Sequence, residues 1–466
     1  MSVNKLSYLL YILLIPLFYS CGEDRTGEYE ALIAEDKWIE EVMCDRYLWY
    51  YDIPASDKLK FFAEPKDFFP TLLSKNDKFS YIKINTPTTK AISSESSYGF
   101  DFILYKDPIV STSNDRFARV LYVLPNSPAS EAGLKRGDWI SAVKGQKLTT
   151  ANYGYLLQGE SRKFATAAIV PAAGGAYQWQ ANDTLTLSAS RQIEDNPFYV
   201  DTVYNVANRK IAYLMYNSFS TGPNNQAADK AYGDQMRSIF ANFKAANVND
   251  FILDLRYNQG GYLTCSQELS SLLAPATALG KVYCSLVFND KHLKSNFSLN
   301  LEEKLTGGAN LNLSRLYVIT SNLTASASEA VINCLQPYMG TENVILVGTK
   351  TVGKNVASEP INSDVYTSFT LYPILATVFN SENKSDYANG IVPTHILDEG
   401  SFLTPFYQLG DLRERMLYNT VQLITTGTMP DEKKTEVNPA HLMTPIYNSL
   451  DRKKMSGVLI QTKDTK

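Results

Sequence analysis

From about residue 200 onward, short apolar runs alternate with helix-length segments, and no other feature constrains the fold as much. Residues 211–215, 251–255, 316–320 and 344–347 are nearly continuous apolar runs, the pattern of strands covered on both faces. Residues 226–246 are long enough and suitably spaced for a helix between two of them. Strands that alternate with helices predict a mixed α/β core, here assigned to residues 196–428. Earlier segments read differently. Residues 117–124 and 183–189 are β-like runs set off by Gly and Pro turns, so 91–195 is expected to be a β-rich domain. Residues 21–90 carry Trp38, Val42 and Trp49 at helical spacing and predict a small helical N-terminal domain. The whole is a multidomain α+β chain, and its 466 residues suit two to four domains. Residues 429–466 form a tail to which no structure is assigned.

Charge and rare residues narrow the function. The chain has 44 Lys and Arg against 48 Asp and Glu, a net charge of −4, which argues against a nucleic-acid partner. Three His (His292, His395, His441) and five Cys without a CxxC pair predict neither a zinc cluster nor a haem attachment site. No metal or organic cofactor is expected. Residues 1–20 read as a leader: Lys5 precedes an apolar run at 6–18, too short to span a bilayer comfortably. Ser20-Cys21 directly after it resembles a bacterial lipoprotein box, which implies export and lipid anchoring through Cys21 in the cell envelope. Gly22 lacks the Asp that retains some lipoproteins in the inner membrane, and Glu23-Asp24 resembles an acidic surface-export signal of some Bacteroidetes lipoproteins. The outer membrane is therefore the expected anchor site. Cys44, Cys265, Cys284 and Cys334 are too sparse to form a disulfide framework.

The stretch Leu124-Pro-Asn-Ser-Pro-Ala-Ser-Glu-Ala-Gly-Leu-Lys-Arg-Gly-Asp-Trp-Ile140 resembles the PDZ domains of exported bacterial proteases. Ser127-Pro128 can open a short helix, Gly133 can end it, and Gly137-Asp138 can turn into a strand at 139–143. The resemblance implies that Tyr98-Gly99-Phe100 is the loop holding a peptide's terminal carboxylate, the peptide adding as a strand to the sheet edge. An insertion at 171–181 leaves open whether that groove is free.

Three motifs lie at strand ends. Thr324-Ala-Ser-Ala-Ser-Glu329 stands where a strand passes into a helix, a place from which a nucleophilic serine projects. Ser326 with Glu329 also makes an S-x-x-E capping box, and such boxes are often purely structural. Asp254-Leu-Arg-Tyr-Asn-Gln-Gly-Gly261 ends in paired glycines whose N–H groups can approach a substrate carbonyl. Its plain alternative is a glycine turn with a local Asp254–Arg256 ion pair. Gly348-Thr-Lys-Thr-Val-Gly-Lys-Asn355 matches GxxxxGK, but Asn355 stands where a nucleotide-binding loop needs Ser or Thr, and strand-like sequence follows.

In this order, and with Gly390-Ile-Val-Pro-Thr394 behind them, the motifs resemble the C-terminal processing peptidases, or tail-specific proteases. The resemblance implies a ClpP/crotonase-like peptidase core that cleaves exported or unfolded proteins through accessible C-termini. It implies Ser326 as nucleophile and Lys354 as general base, with an oxyanion hole from Ala327 and Gly260 or Gly261. A lysine takes a proton only when neutral, so burial in an apolar site is expected for Lys354. Family members often carry a Gln four residues after the lysine; Ser358 stands there. The alternative is a catalytically weak or inactive peptide-binding scaffold of the cell envelope on the same fold.

Overall fold

The computed structural model describes residues 25–85, 96–110, 112–224, 226, 228–400, 406–430, 443–453 and 458–460. The leader, Cys21 and His441 lie outside these residues. No helix among the described residues is long and apolar enough to cross a membrane.

The apolar runs form the central sheet. Its order is His395–Ile396, Val344–Gly348, Leu316–Thr320, Asp250–Asp254, Arg209–Tyr216 and Phe198–Val206. Neighbours are parallel except the last pair, which is antiparallel. Alternate residues supply two cores. Leu214, Leu253, Val318 and Leu346 face one side, packed with residues of helices Ala231–Ala245, Leu263–Leu273 and Ala327–Met339. Tyr213, Ile252, Ile319 and Val347 face the other, against helix Arg415–Thr426 and against Leu121, Tyr122 and Leu124 of the β-rich domain. The sheet is thus covered on both faces, as continuous apolar runs require. The helix expected at 226–246 begins only at Ala231, whose N–H donates to the Asp229 side chain at 3.0 Å.

The β-rich domain is a sheet ordered Phe100–Lys106, Arg116–Val123, Trp139–Val143, Arg162–Pro171 and Tyr177–Leu187, with Gln146–Lys147 paired to its middle. Ser127 caps the short helix Pro128–Glu131 by accepting from the Ser130 N–H. Residues 171–181 extend two paired strands. They are the tip of a hairpin in which Pro171 pairs with Tyr177, and the strand expected from 183 starts there.

In the N-terminal domain, helix Thr26–Arg46 buries Ile33, Ile39 and Met43. It stops before Trp49 because Tyr47 turns extended. The domain docks on the core by pairing strand Tyr81–Ile84 antiparallel to Phe369–Tyr372. A further sheet runs Phe297–Asn300, Val282–Phe288, Ile374–Asn380, Val356–Ser358 and Val458–Leu459.

Candidate functional site

Ser326 is the N-cap of helix Ala327–Met339 and sits at φ 64°, ψ −117°, a conformation that costs a non-glycine residue roughly 1–3 kcal/mol. Such strain persists only where the surroundings over-determine it, and here they do. The Ser326 N–H donates to Glu329 Oε2 at 2.8 Å. The Thr324 hydroxyl donates to the Leu255 carbonyl at 2.9 Å, and the Ala325 N–H to the Asn258 carbonyl at 3.1 Å. The Ser326 hydroxyl makes no cap hydrogen bond. It is buried without a hydrogen-bond partner.

The glycine turn presses against this serine. A Cβ on Gly260, at φ +105°, would lie 2.6 Å from Ser326 Cβ and 2.9 Å from its Oγ, so only glycine fits. Asn258 braces the turn: its Oδ1 accepts from the Gly260 N–H at 2.9 Å and its Nδ2 donates to the Tyr216 carbonyl at 2.8 Å. The Ser328 hydroxyl also donates to the Asn258 carbonyl at 3.1 Å. The Gly260 N–H is therefore engaged. Among the described residues, those of Ala327 and Gly261 donate to no protein acceptor.

Lys354 lies on the loop after strand Val344–Gly348, is 5 % exposed, and leads into strand Val356–Ser358 in place of the helix a nucleotide-binding loop would need. Its Nζ stands 5.1 Å from the centre of the Phe79 ring, contributed by the N-terminal domain. Beside this loop a cavity of about 680 Å³ opens among Trp49, Tyr50, Phe79, Asn355 and Thr377. Ser358 is fully buried on the following strand.

The serine turn and the lysine loop meet at Glu329. Its carboxylate accepts from the N–H groups of Ser326 (2.8 Å), Gly353 (2.6 Å) and Lys354 (2.7 Å) and from the Thr351 hydroxyl (2.5 Å). Burial pushes this carboxyl above the usual range, while the same hydrogen bonds pull it down. Residues 390–394 seat the loop from below: Ile391 N–H donates to Thr351 Oγ1 at 2.7 Å and Thr351 N–H to the Ile391 carbonyl at 3.1 Å.

Asp254 and Arg256 do pair, at 2.6 Å, but not in isolation. Arg256 also holds Glu399 at 2.5 Å and Glu414 at 2.9 Å. Arg136, from the Gly-Leu-Lys-Arg-Gly-Asp run of the β-rich domain, binds Glu399 as well and donates to Tyr257 Oη at 2.9 Å. A buried cluster of charge thus joins that domain to the strand end that carries the glycine turn.

In the β-rich domain, Tyr98 is fully buried as a core side chain, its hydroxyl donating to the Glu160 carbonyl. The Gly99 N–H is taken by Ser97 Oγ at 3.1 Å, and Phe100 is 6 % exposed. Among the described residues no three His, Cys, Asp or Glu side chains converge as metal ligands do. His292 lies 3.1 Å from Asp45. All four described cysteines are free thiols.

Known proteins are similar to this chain. Residues 210–396 match peptidase family S41, residues 34–81 the S41 N-terminal domain, and residues 119–165 a PDZ domain. A solved structure from Bacteroides fragilis, assigned to the S41 proteases, is 37% identical with a TM-score of 0.76, over 84% of this chain and 97% of that one. The chain belongs to peptidase family S41.

The carboxyl-terminal-processing protease of Synechocystis is 25% identical over 68% of this chain and 67% of its own length. That of Picosynechococcus is 27% identical, and there the chain spans about half the length of the relative, 50%. In this S41 chain the structure adds three residues to those the motifs suggested. Glu329 was visible as a cap, and its second set of donors was not. Asn258 lies inside a motif, but nothing in the sequence says that it braces two turns. Thr351 lies inside the GxxxxGK run, at a position the motif leaves open.

Proposed function

We propose that this chain is a serine endopeptidase of the C-terminal processing type, using Ser326 and Lys354. The observation that carries the reading is the single Glu329 carboxylate, which holds the backbone of both residues at 2.8 and 2.7 Å. Neutral Lys354 takes the Ser326 proton, the alkoxide attacks the scissile carbonyl, and an acyl-enzyme forms with release of the amine. Water activated by the same lysine then frees the acyl product. Because the Gly260 N–H is committed to Asn258, the oxyanion falls to the N–H groups of Ala327 and Gly261. The role needs a neutral Lys354, and its burial favours that form. The PDZ domain is proposed to dock C-terminal segments of exported or unfolded proteins, with the loop 98–100 at its carboxylate end. The leader motif supports export and anchoring at Cys21, with the outer membrane favoured.

A second reading, a peptide-binding scaffold without catalysis, draws on the Ser326 hydroxyl having no hydrogen-bond partner. Casein cleavage by residues 22–466 separates the two. The peptidase reading expects activity that falls roughly 10³-fold or more in both Ser326→Ala and Lys354→Ala. A folded parent that cleaves nothing supports the scaffold.

A further inference from the structure

The tail adds a strand to two sheet edges, one in the β-rich domain and one beside the lysine loop. Strand Phe100–Lys106 has Arg116–Val123 on one edge; its other edge, where a peptide adds to a PDZ sheet, is taken by Pro445–Asn448. The pairing is antiparallel, with Pro445 opposite Tyr105 and Asn448 opposite Ile103. Tyr447 lays its ring 4.5 Å from that of Tyr153 and 6.0 Å from that of Phe102, filling the space between the edge strand and the facing 3-10 turn. At the carboxylate end of the groove, Ser449 Oγ accepts from the Phe102 N–H at 2.8 Å and donates to Asp101 at 2.6 Å. Asp101 is 3 % exposed and is neutralised by Lys453, also from the tail, at 2.9 Å. A terminal carboxylate arriving there would have to displace Ser449 and would meet Asp101.

Further along, the same segment reaches the catalytic turn. The Gln259 amide donates to the Leu450 carbonyl at 2.7 Å. Val458–Leu459 runs parallel to Val356–Ser358, the strand that follows Lys354. The Leu459 N–H donates to the Gly261 carbonyl at 3.0 Å, and the Ile460 N–H to the Ser358 carbonyl at 3.1 Å. Leu459 and Ile460 are 7 % and 5 % exposed, and Ser326 is 0 % exposed. A nucleophile that must meet a polypeptide is closed off while the chain's own strand lies beside its glycine turn.

We infer that residues 443–453 and 458–460 are an intramolecular occupant of the PDZ groove and the cleft, a strap that a substrate peptide must displace. The inference deepens the peptidase reading and rests on it for its consequence. It also says that the groove accepts an internal tyrosine-containing strand, with a serine hydroxyl standing in for the terminal carboxylate.

The test uses the full chain, with Tyr447→Ala and Leu459→Asp made singly and together, and Ser449→Ala as a milder change that removes two hydrogen bonds. The probe is a dye-labelled peptide with the sequence of residues 443–453, its anisotropy read on a Ser326→Ala background so that no chemistry is involved. The expected result is at least a tenfold gain in peptide affinity in Tyr447→Ala, a smaller gain in Ser449→Ala, and a several-fold faster initial cleavage of labelled casein once Ser326 is restored. Equal affinity and equal rate in parent and variants, all with parent-like melting, would overturn the strap and leave the peptidase standing. A gain in affinity with no casein cleavage by any form would support the strap and remove the peptidase. If intact mass shows the tail shortened in the parent and not in Ser326→Ala, the segment is a self-substrate, and the strap is wrong.

Discussion

Glu329 shows how much one side chain carries. Its carboxylate has no water to turn to, and three N–H groups and a hydroxyl converge on it. Glu329→Gln keeps the shape but points an NH₂ at donors, so a buried donor is left unsatisfied. The expected cost is about 2–4 kcal/mol in urea unfolding, with a casein-cleavage rate that falls about 100-fold because both turns loosen. Retention of full activity would mean that Glu329 is only a cap. In the sequence this residue looked like half of an S-x-x-E box, and that remains true of it. Its other donors come from residues 351–354, and no local pattern announces a contact between segments that far apart.

Among the elements, the strand ends do the positioning. Leu316–Thr320, Asp250–Asp254 and Val344–Gly348 are adjacent in the sheet, so the serine turn, the glycine turn and the lysine loop emerge side by side. Their existence was legible as apolar runs because strands covered on both faces need little polar residue. Their order in the sheet was not, since it depends on which strands pair. The lysine loop is packed closely against its neighbours. A Cβ on Gly353 would meet the Gly390 nitrogen at 2.5 Å and the Ala388 carbonyl oxygen at 2.6 Å, both rigid backbone. Gly353→Ala should therefore push the loop off residues 388–390 and shift Lys354. A kcat loss of roughly 10–100-fold, larger than any change in KM, is expected in casein cleavage. An unchanged kcat would show that the loop tolerates the shift.

Taken whole, the molecule is joined at its PDZ–core junction by buried charge as well as by apolar packing. Burial alone would lift the Glu399 carboxyl, but Arg136 and Arg256 outweigh it and bring it down to about 2. The folded value lies below the unfolded one, so this stabilisation is complete above about pH 4.5 and is lost as the pH falls toward about 2. Glu399→Gln leaves two arginines, each 1 % exposed, short of a partner and should cost about 3–5 kcal/mol at neutral pH. Denaturation midpoints across that acid window should converge for parent and variant. Parallel curves would place the acid sensitivity elsewhere.

The sequence alone determined what short-range chemistry can write: the α/β alternation, the caps and turns of the PDZ segment, and three motifs at strand ends whose combination resembles one peptidase family. Contacts across the chain were decided only on folding. The tail carried no readable pattern because its strands are short and partly polar, and they acquire structure from edges that other segments offer. Which N–H of the glycine pair is spare, and which carboxylate ties serine to lysine, likewise depend on partners far away in sequence. Propensity is local, whereas hydrogen-bond satisfaction in a buried site is set by whatever the tertiary fold brings within about 3 Å.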